Sequence, residues 1–108
     1  MEQIVLYKPV EFEGETIKEF PMDLDGLTAA DMLTVERQFD MAAPGNESTF
    51  SKELSKEYQL ITAARAANKP VELFYKLSAR DFTRITLKVQ LFFAEAESVP
   101  ATGQAQEG

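Results

Sequence analysis

The segment Leu77–Phe93, LSARDFTRITLKVQLFF, constrains this chain most, because it reads as a helix with two apolar faces. Ser78 and Asp81 form a capping box, S-x-x-D, ahead of an apolar run. At about 100° per residue, Phe82, Ile85, Val89, Phe92 and Phe93 share one stripe. Leu87 and Leu91 fall roughly opposite, bracketed by Arg80, Arg84 and Lys88. One stripe is enough to fold a small domain. A second one, edged with cations, predicts a surface that meets another protein. The plainer alternative is a last helix buried on both sides, as in many small α+β domains.

The rest of the chain supplies what this helix packs on. Ile4–Phe12 and Thr16–Met22 alternate as two strands, and Gly14 in the short link can take the positive φ of a tight hairpin. Pro9 lacks an amide donor, so the first strand is an edge or is broken there. Thr28 and Asp31 cap a helix over Thr28–Phe39, with Met32, Val35, Glu36 and Phe39 near one face. Met41–Thr49, MAAPGNEST, is a loop by its Pro-Gly and small polar residues. Phe50–Ala67 is predicted as the longest helix, with an alanine-rich end that permits close approach of another backbone. Asn68 and Lys69 stop it, and Pro70 opens a short helix, Val71–Lys76. The final helix runs from Ser78 to about Ala94. Residues 97–108 carry only Ser, Val, Pro, Ala, Thr, Gly, Gln and Glu, and are expected to be a disordered tail. The expected fold is therefore α+β: one domain over residues 1–96, with an N-terminal β-hairpin followed by a small bundle of three to four helices.

Absent residue types narrow the function. The chain has no His and no Cys, which removes thiolate nucleophiles, the usual zinc sites and Ser-His-Asp triads. No Gly-rich phosphate cradle is present. Asp23, Asp25 and Gly26 faintly resemble a calcium loop, but the register puts Pro21 and Met32 at ligand positions, so a turn is expected instead. A non-enzyme without cofactor or metal is expected. No signal-peptide layout and no apolar run long enough to span a bilayer is seen, so no membrane partner is expected.

The net charge of −7 is unevenly spread. Residues 1–40 hold ten acids and three bases, whereas Lys52–Lys88 holds eight bases and four acids. These are either two solvated faces or complementary surfaces that attract head to tail between copies. Arg80, Arg84 and Lys88 recur every four residues, as on a phosphate-contacting helix. The overall acidity argues against a nucleic-acid partner, since phosphate binding needs a basic surface. The acidic first part also admits a DNA-mimicking inhibitor.

The order of signals resembles the tail assembly chaperones of long-tailed bacteriophages and prophages. The matching residues are Leu6-Tyr7-Lys8-Pro9-Val10, the Gly14 turn and Leu27-Thr28-Ala29-Ala30-Asp31-Met32. They continue through the alanine-rich middle helix to Leu77-Ser78-Ala79-Arg80-Asp81-Phe82 and Val89–Phe93, so the resemblance covers residues 4–94. It implies a non-catalytic protein of the bacterial host cytoplasm, absent from the mature virion. Such a protein binds the tail tape measure protein and keeps it soluble during tail assembly. It also implies a frameshifted, C-terminally longer form of the same protein, and Pro100–Gly108 would suit that junction. A small ring-forming structural protein of the tail or head completion is the alternative. For partner contact and self-association into a homo-oligomer, the candidate residues are Arg80, Arg84, Leu87, Lys88 and Leu91, with the hairpin edge as a second surface.

Overall fold

The structure, a computed structural model, describes residues 1–42, 52 and 55–96. Two antiparallel strands, β1 (Glu2–Phe12) and β2 (Glu15–Met22), are followed by α1 (Ala29–Ala42), α2 (Lys56–Ala67), α3 (Val71–Phe74) and α4 (Ala79–Ala96). This is the α+β arrangement of a hairpin followed by four helices. The expected disordered tail, residues 97–108, lies outside the described residues.

The hairpin closes on Glu13 and Gly14, with φ of 51° and 81°. Positive φ at both central positions matches the right-handed twist of the flanking strands, and Gly14 adopts it without a Cβ penalty. Alternation puts Ile4, Leu6 and Val10 of β1 and Phe20 and Met22 of β2 on the buried face. The ladder is interrupted as Pro9 requires. Val5 pairs with Glu19 and Val10 with Ile17, so four residues of β1 stand opposite Lys18 alone. This wide bulge lifts Leu6–Pro9 off the ladder and leaves amides there without strand partners.

After β2 the chain turns at Asp23, whose carboxylate accepts the Gly26 amide at 3.1 Å. A Cβ on Gly26 would lie 2.4 Å from Asp23 Oδ2, so a larger residue there would displace the Asp23 carboxylate that holds the turn. The Asp23–Gly26 segment is thus a turn. Thr28 and Asp31 then exchange capping-box bonds, Thr28 N to Asp31 Oδ2 at 2.9 Å and Asp31 N to Thr28 Oγ1 at 3.2 Å. The helix they start runs to Ala42, beyond the expected end at Phe39, so Met41 and Ala42 are helical. The remainder of the expected loop, 43–49, is outside the described residues.

The second helix starts later than its apolar spacing predicts. Ser55 has extended backbone, φ −77° and ψ 130°, and its hydroxyl accepts the Tyr58 amide. The helix therefore begins at Lys56, and no continuous helix runs from Phe50 to Ala67. Capping won over periodicity here, because a hydroxyl that satisfies an orphan amide fixes the helix start. Residues 50, 51, 53 and 54 are outside the described residues. Asn68 ends α2 in the left-handed region at φ 56°, with Lys69 N bonded to Ala64 O at 3.0 Å. Pro70 caps α3, which ends at Phe74, short of the expected Lys76.

Burial centres on α2. Eight of its twelve residues are buried, including every one from Tyr58 to Ala64, so neighbours surround it on most sides. Its alanines let those neighbours approach closely. The hairpin, α2, α3 and α4 share one core, with Phe20 and Phe74 rings 5.3 Å apart. Val35 and Phe39 of α1 meet Tyr58 and Ile61 in a second cluster, and Phe93 of α4 packs against both. Among the described residues no helix is long and apolar enough to cross a membrane.

The Phe20 side chain joins the hairpin to this core and is 1% exposed. Phe20→Ala is expected to lower unfolding free energy by about 3–5 kcal/mol, with the denaturant slope unchanged. Urea titration followed by circular dichroism checks it.

Candidate functional site

The last helix carries two kinds of chemistry at its N-terminal half. Ser78 Oγ accepts the Asp81 amide at 3.2 Å, the N-cap half of the predicted capping box, while the return bond to Asp81 Oδ2 at 3.1 Å is donated by the Ser78 hydroxyl rather than by its amide. The carboxylate also reaches across to the hairpin. Asp81 Oδ1 accepts the Tyr7 amide at 2.9 Å and Oδ2 accepts the Lys8 amide at 3.1 Å. These are amides that the bulge around Pro9 removes from the ladder. Arg84 completes the junction, donating to Asp81 Oδ1 at 2.8 Å and to the Val5 carbonyl at 3.3 Å. Asp81 is 0% exposed. Burial alone raises its pKa, but the two amides, the Ser78 hydroxyl and the guanidinium outweigh that and hold it below the ordinary value of 3.8. The side chains of α4 therefore bond the outer edge of β1 at Val5, Tyr7 and Lys8. That part of the hairpin edge is closed to a partner strand.

The five residues singled out from the sequence fall along this helix. Leu87 and Leu91 are 49% and 54% exposed, while Ile85 and Val89 on the opposite stripe are buried. Phe82, Phe92 and Phe93 are half-buried. Arg80 and Arg84 lie over the Tyr7 ring, 4.6 Å and 5.2 Å from its centroid. Lys88 Nζ is 2.7 Å from Glu2 Oε2. Two of the three cations are thus tied to Asp81 and Glu2 rather than standing free beside the leucines. Val5 and Tyr7, the outward set of β1, add exposed apolar surface next to Arg84. Sequence reasoning did not single them out. Their signal was the alternation itself, which puts them opposite Ile4 and Leu6.

Charge complementarity between the halves of the chain is partly satisfied within one molecule. Arg65 pairs with Asp31 at 2.8 Å, Lys52 with Asp40 at 3.2 Å, and Lys88 with Glu2. Asp31 is held below 3.8 mainly by the Thr28 amide, then by Arg65. Among the described residues, the bases of Lys52–Lys88 left without an ion pair are Lys56, Lys69, Lys76 and Arg80. No group of three or more acids among the described residues is arranged to hold a metal ion. The candidate surface thus combines the exposed leucines of α4 and the outward Val5 and Tyr7 of β1 with the cations beside them. No family model, curated protein or solved structure matches the chain.

The buried carboxylate gives a sharp stability expectation. Asp81→Asn keeps the shape but turns an NH2 group toward an amide or the guanidinium, and is expected to cost about 1–3 kcal/mol. The folded pKa of Asp81 is depressed, so its stabilisation is present above 3.8 and is lost as pH falls through the folded value. The variant should therefore show a shallower loss of melting temperature between neutral pH and about pH 2 than the parent. Thermal unfolding across that range measures it. Parallel acid limbs would show that Asp81 does not carry this linkage.

Proposed function

We propose that this chain is a non-catalytic tail assembly chaperone of a long-tailed bacteriophage or prophage. It binds the tail tape measure protein in the bacterial cytoplasm, keeps it soluble during tail assembly, and is left out of the mature particle. The observation that carries the reading is the outer stripe of α4, where Leu87 and Leu91 face solvent on a helix whose inner stripe completes the core. The resemblance over residues 4–94 supplies the identity of the client. A holdase needs apolar contacts weak enough to release, with charge around them to keep the complex soluble. Full burial of a leucine contributes about 1.5–3 kcal/mol, so each half-exposed one offers a client about 1 kcal/mol. Arg80, Arg84 and Lys88 border the stripe and supply the charge. The same surface serves contact with further copies of the chain, including a frameshifted longer form.

Co-expression with the tape measure protein of the same locus should raise that protein's soluble fraction. Replacing Leu87 and Leu91 with Ser should abolish most of the gain while leaving the melting temperature within a few degrees, because neither side chain is in the core. The same variant should lower the mass seen by light scattering across a concentration series, and Arg84→Gln should lower it less. A client that stays insoluble beside the folded parent sinks the chaperone reading. Recovery of the chain from purified particles would move it to the structural proteins of the tail or head.

A further inference from the structure

The outer stripe of α4 complements itself in one direction only. Arg84, Leu87, Leu91 and Ala94 stand at alternating spacings of three and four residues, the seam along which two helices pack side by side. Among the charged side chains of this helix, Asp81 and Arg84 pair with each other and Lys88 pairs with Glu2. Arg80 and Glu95 are exposed and have no ion pair to any described residue. They sit at opposite ends of the seam, about 22 Å apart at a rise of about 1.5 Å per residue. The strand β1 flanks only the first half of the helix. Glu2 bonds Lys88, the Val5 carbonyl accepts from Arg84, and the Tyr7 amide donates to Asp81. The exposed Val5 and Tyr7 therefore border that half alone.

We infer that a second copy of the chain covers this stripe, with its α4 antiparallel to the first, in a closed two-fold pair. A two-fold axis level with Val89 sets Leu87 of each copy against Leu91 of the other, so the leucines of both copies meet at the centre. The same axis sets Glu95 within about one helical turn of Arg80 and Arg84 of the other copy, on the same flank of the pair. Arg80 thereby gains the acid it lacks, and Glu95 gains a base. A parallel pair would instead set Arg80 beside Arg80 and Glu95 beside Glu95, where like charges repel. Antiparallel pairing also lays Val5 and Tyr7 of one copy beside the second half of the other's α4. Such a contact uses the same surface on both copies and closes at two. It does not extend into the rings or filaments that acidic and basic halves would build head to tail. Head-to-tail attraction is weakened at its source, because Arg65, Lys52 and Lys88 are already paired with acids of residues 1–40. The apolar centre is small, so the pair forms at high chain concentration and yields its leucines to a competing client. This deepens the chaperone reading by naming what covers the client surface before the client arrives, and rests on that reading only for the client.

The chain has no Cys, so single cysteines report the geometry without background. Gln90 and Ala79 are both exposed on α4. In the antiparallel pair the two copies of position 90 lie within about 10 Å of each other, whereas those of position 79 lie about 30 Å apart. A bifunctional thiol reagent spanning about 10 Å should therefore join full-length Gln90→Cys chains into dimers and leave Ala79→Cys chains single on a denaturing gel. Joining of both variants, as a parallel pair requires, overturns the inference, and so does joining of neither. Sedimentation velocity of the full chain across a concentration series should show monomer and dimer only. Glu95→Arg and Arg80→Glu should each weaken the dimer about fivefold, because each contact occurs twice in the pair. The two substitutions together should restore it to within about twofold of the parent. Each puts a charge that suits the helix dipole at its own end of α4, so the fold is retained. A chain that stays monomeric at the highest concentration reached overturns the inference, as do masses that grow past two copies or an exchange that fails to restore the dimer. The two proposals separate. If the chain never pairs yet solubilises the tape measure protein, the pairing fails and the chaperone reading stands. If the pair forms as expected and no tape measure protein is solubilised, the reverse holds.

Discussion

Asp81 is the contact on which the architecture depends. A two-stranded hairpin is marginal in water by itself and must be held by something else. Here Pro9 makes the hairpin weaker still, because the ladder breaks over Leu6–Pro9 and exposes amides along the strand edge. A carboxylate at the start of α4 accepts two of those amides and is neutralised by Arg84 in the same step. The cost of burying a charge is offset only because every contact is a charge-assisted hydrogen bond. The Ser78 hydroxyl that caps α4 donates to the same carboxylate, so helix start and strand bulge are fixed together. The sequence element that disrupts the sheet and the element that starts the last helix form one unit.

With the hairpin fixed there, the apolar stripe of α4 and the buried face of the sheet enclose α2. That explains a division of labour among the helices. The helix with the least conspicuous sequence, rich in Ala, takes the centre, and eight of its positions are buried. The helix with the most apolar character stays at the periphery, where it needs only one face. Small residues are what a central helix requires when neighbours crowd it on most sides, since large ones would hold them apart.

Local chemistry was legible in the residues. The turn at Gly14, the capping boxes at Thr28–Asp31 and Ser78–Asp81, the stop at Asn68 and the inner stripe of α4 each depend on groups a few residues apart. The start of α2 was misplaced because Phe50, Leu54 and Tyr58 continue the helical spacing. The competing signal was Ser55 with Glu57 two residues on, an N-cap and a first-turn acid. What lay out of reach was the pairing of Asp81 with Tyr7, residues 74 apart. Capping chemistry accounts for Asp81 fully, so nothing in the pattern asks for a second partner. The engagement of Arg84 and Lys88 was hidden for the same reason. Spacing shows which face a cation occupies and not which distant acid meets it.

Those engaged cations change what the outer face of α4 can do. A free arginine beside Leu87 would attract any acidic protein, and in a crowded cell that means indiscriminate contact. Arg84 bound to Asp81 and Lys88 bound to Glu2 must be drawn from existing partners before they serve a new one. Their net contribution to affinity is therefore small, because each gain across the interface is set against a loss inside the chain. On the proposed client surface, affinity falls mainly to Leu87 and Leu91, with Val5 and Tyr7 beside Arg84, because these exposed apolar groups have no internal ion pair to give up and respond little to salt.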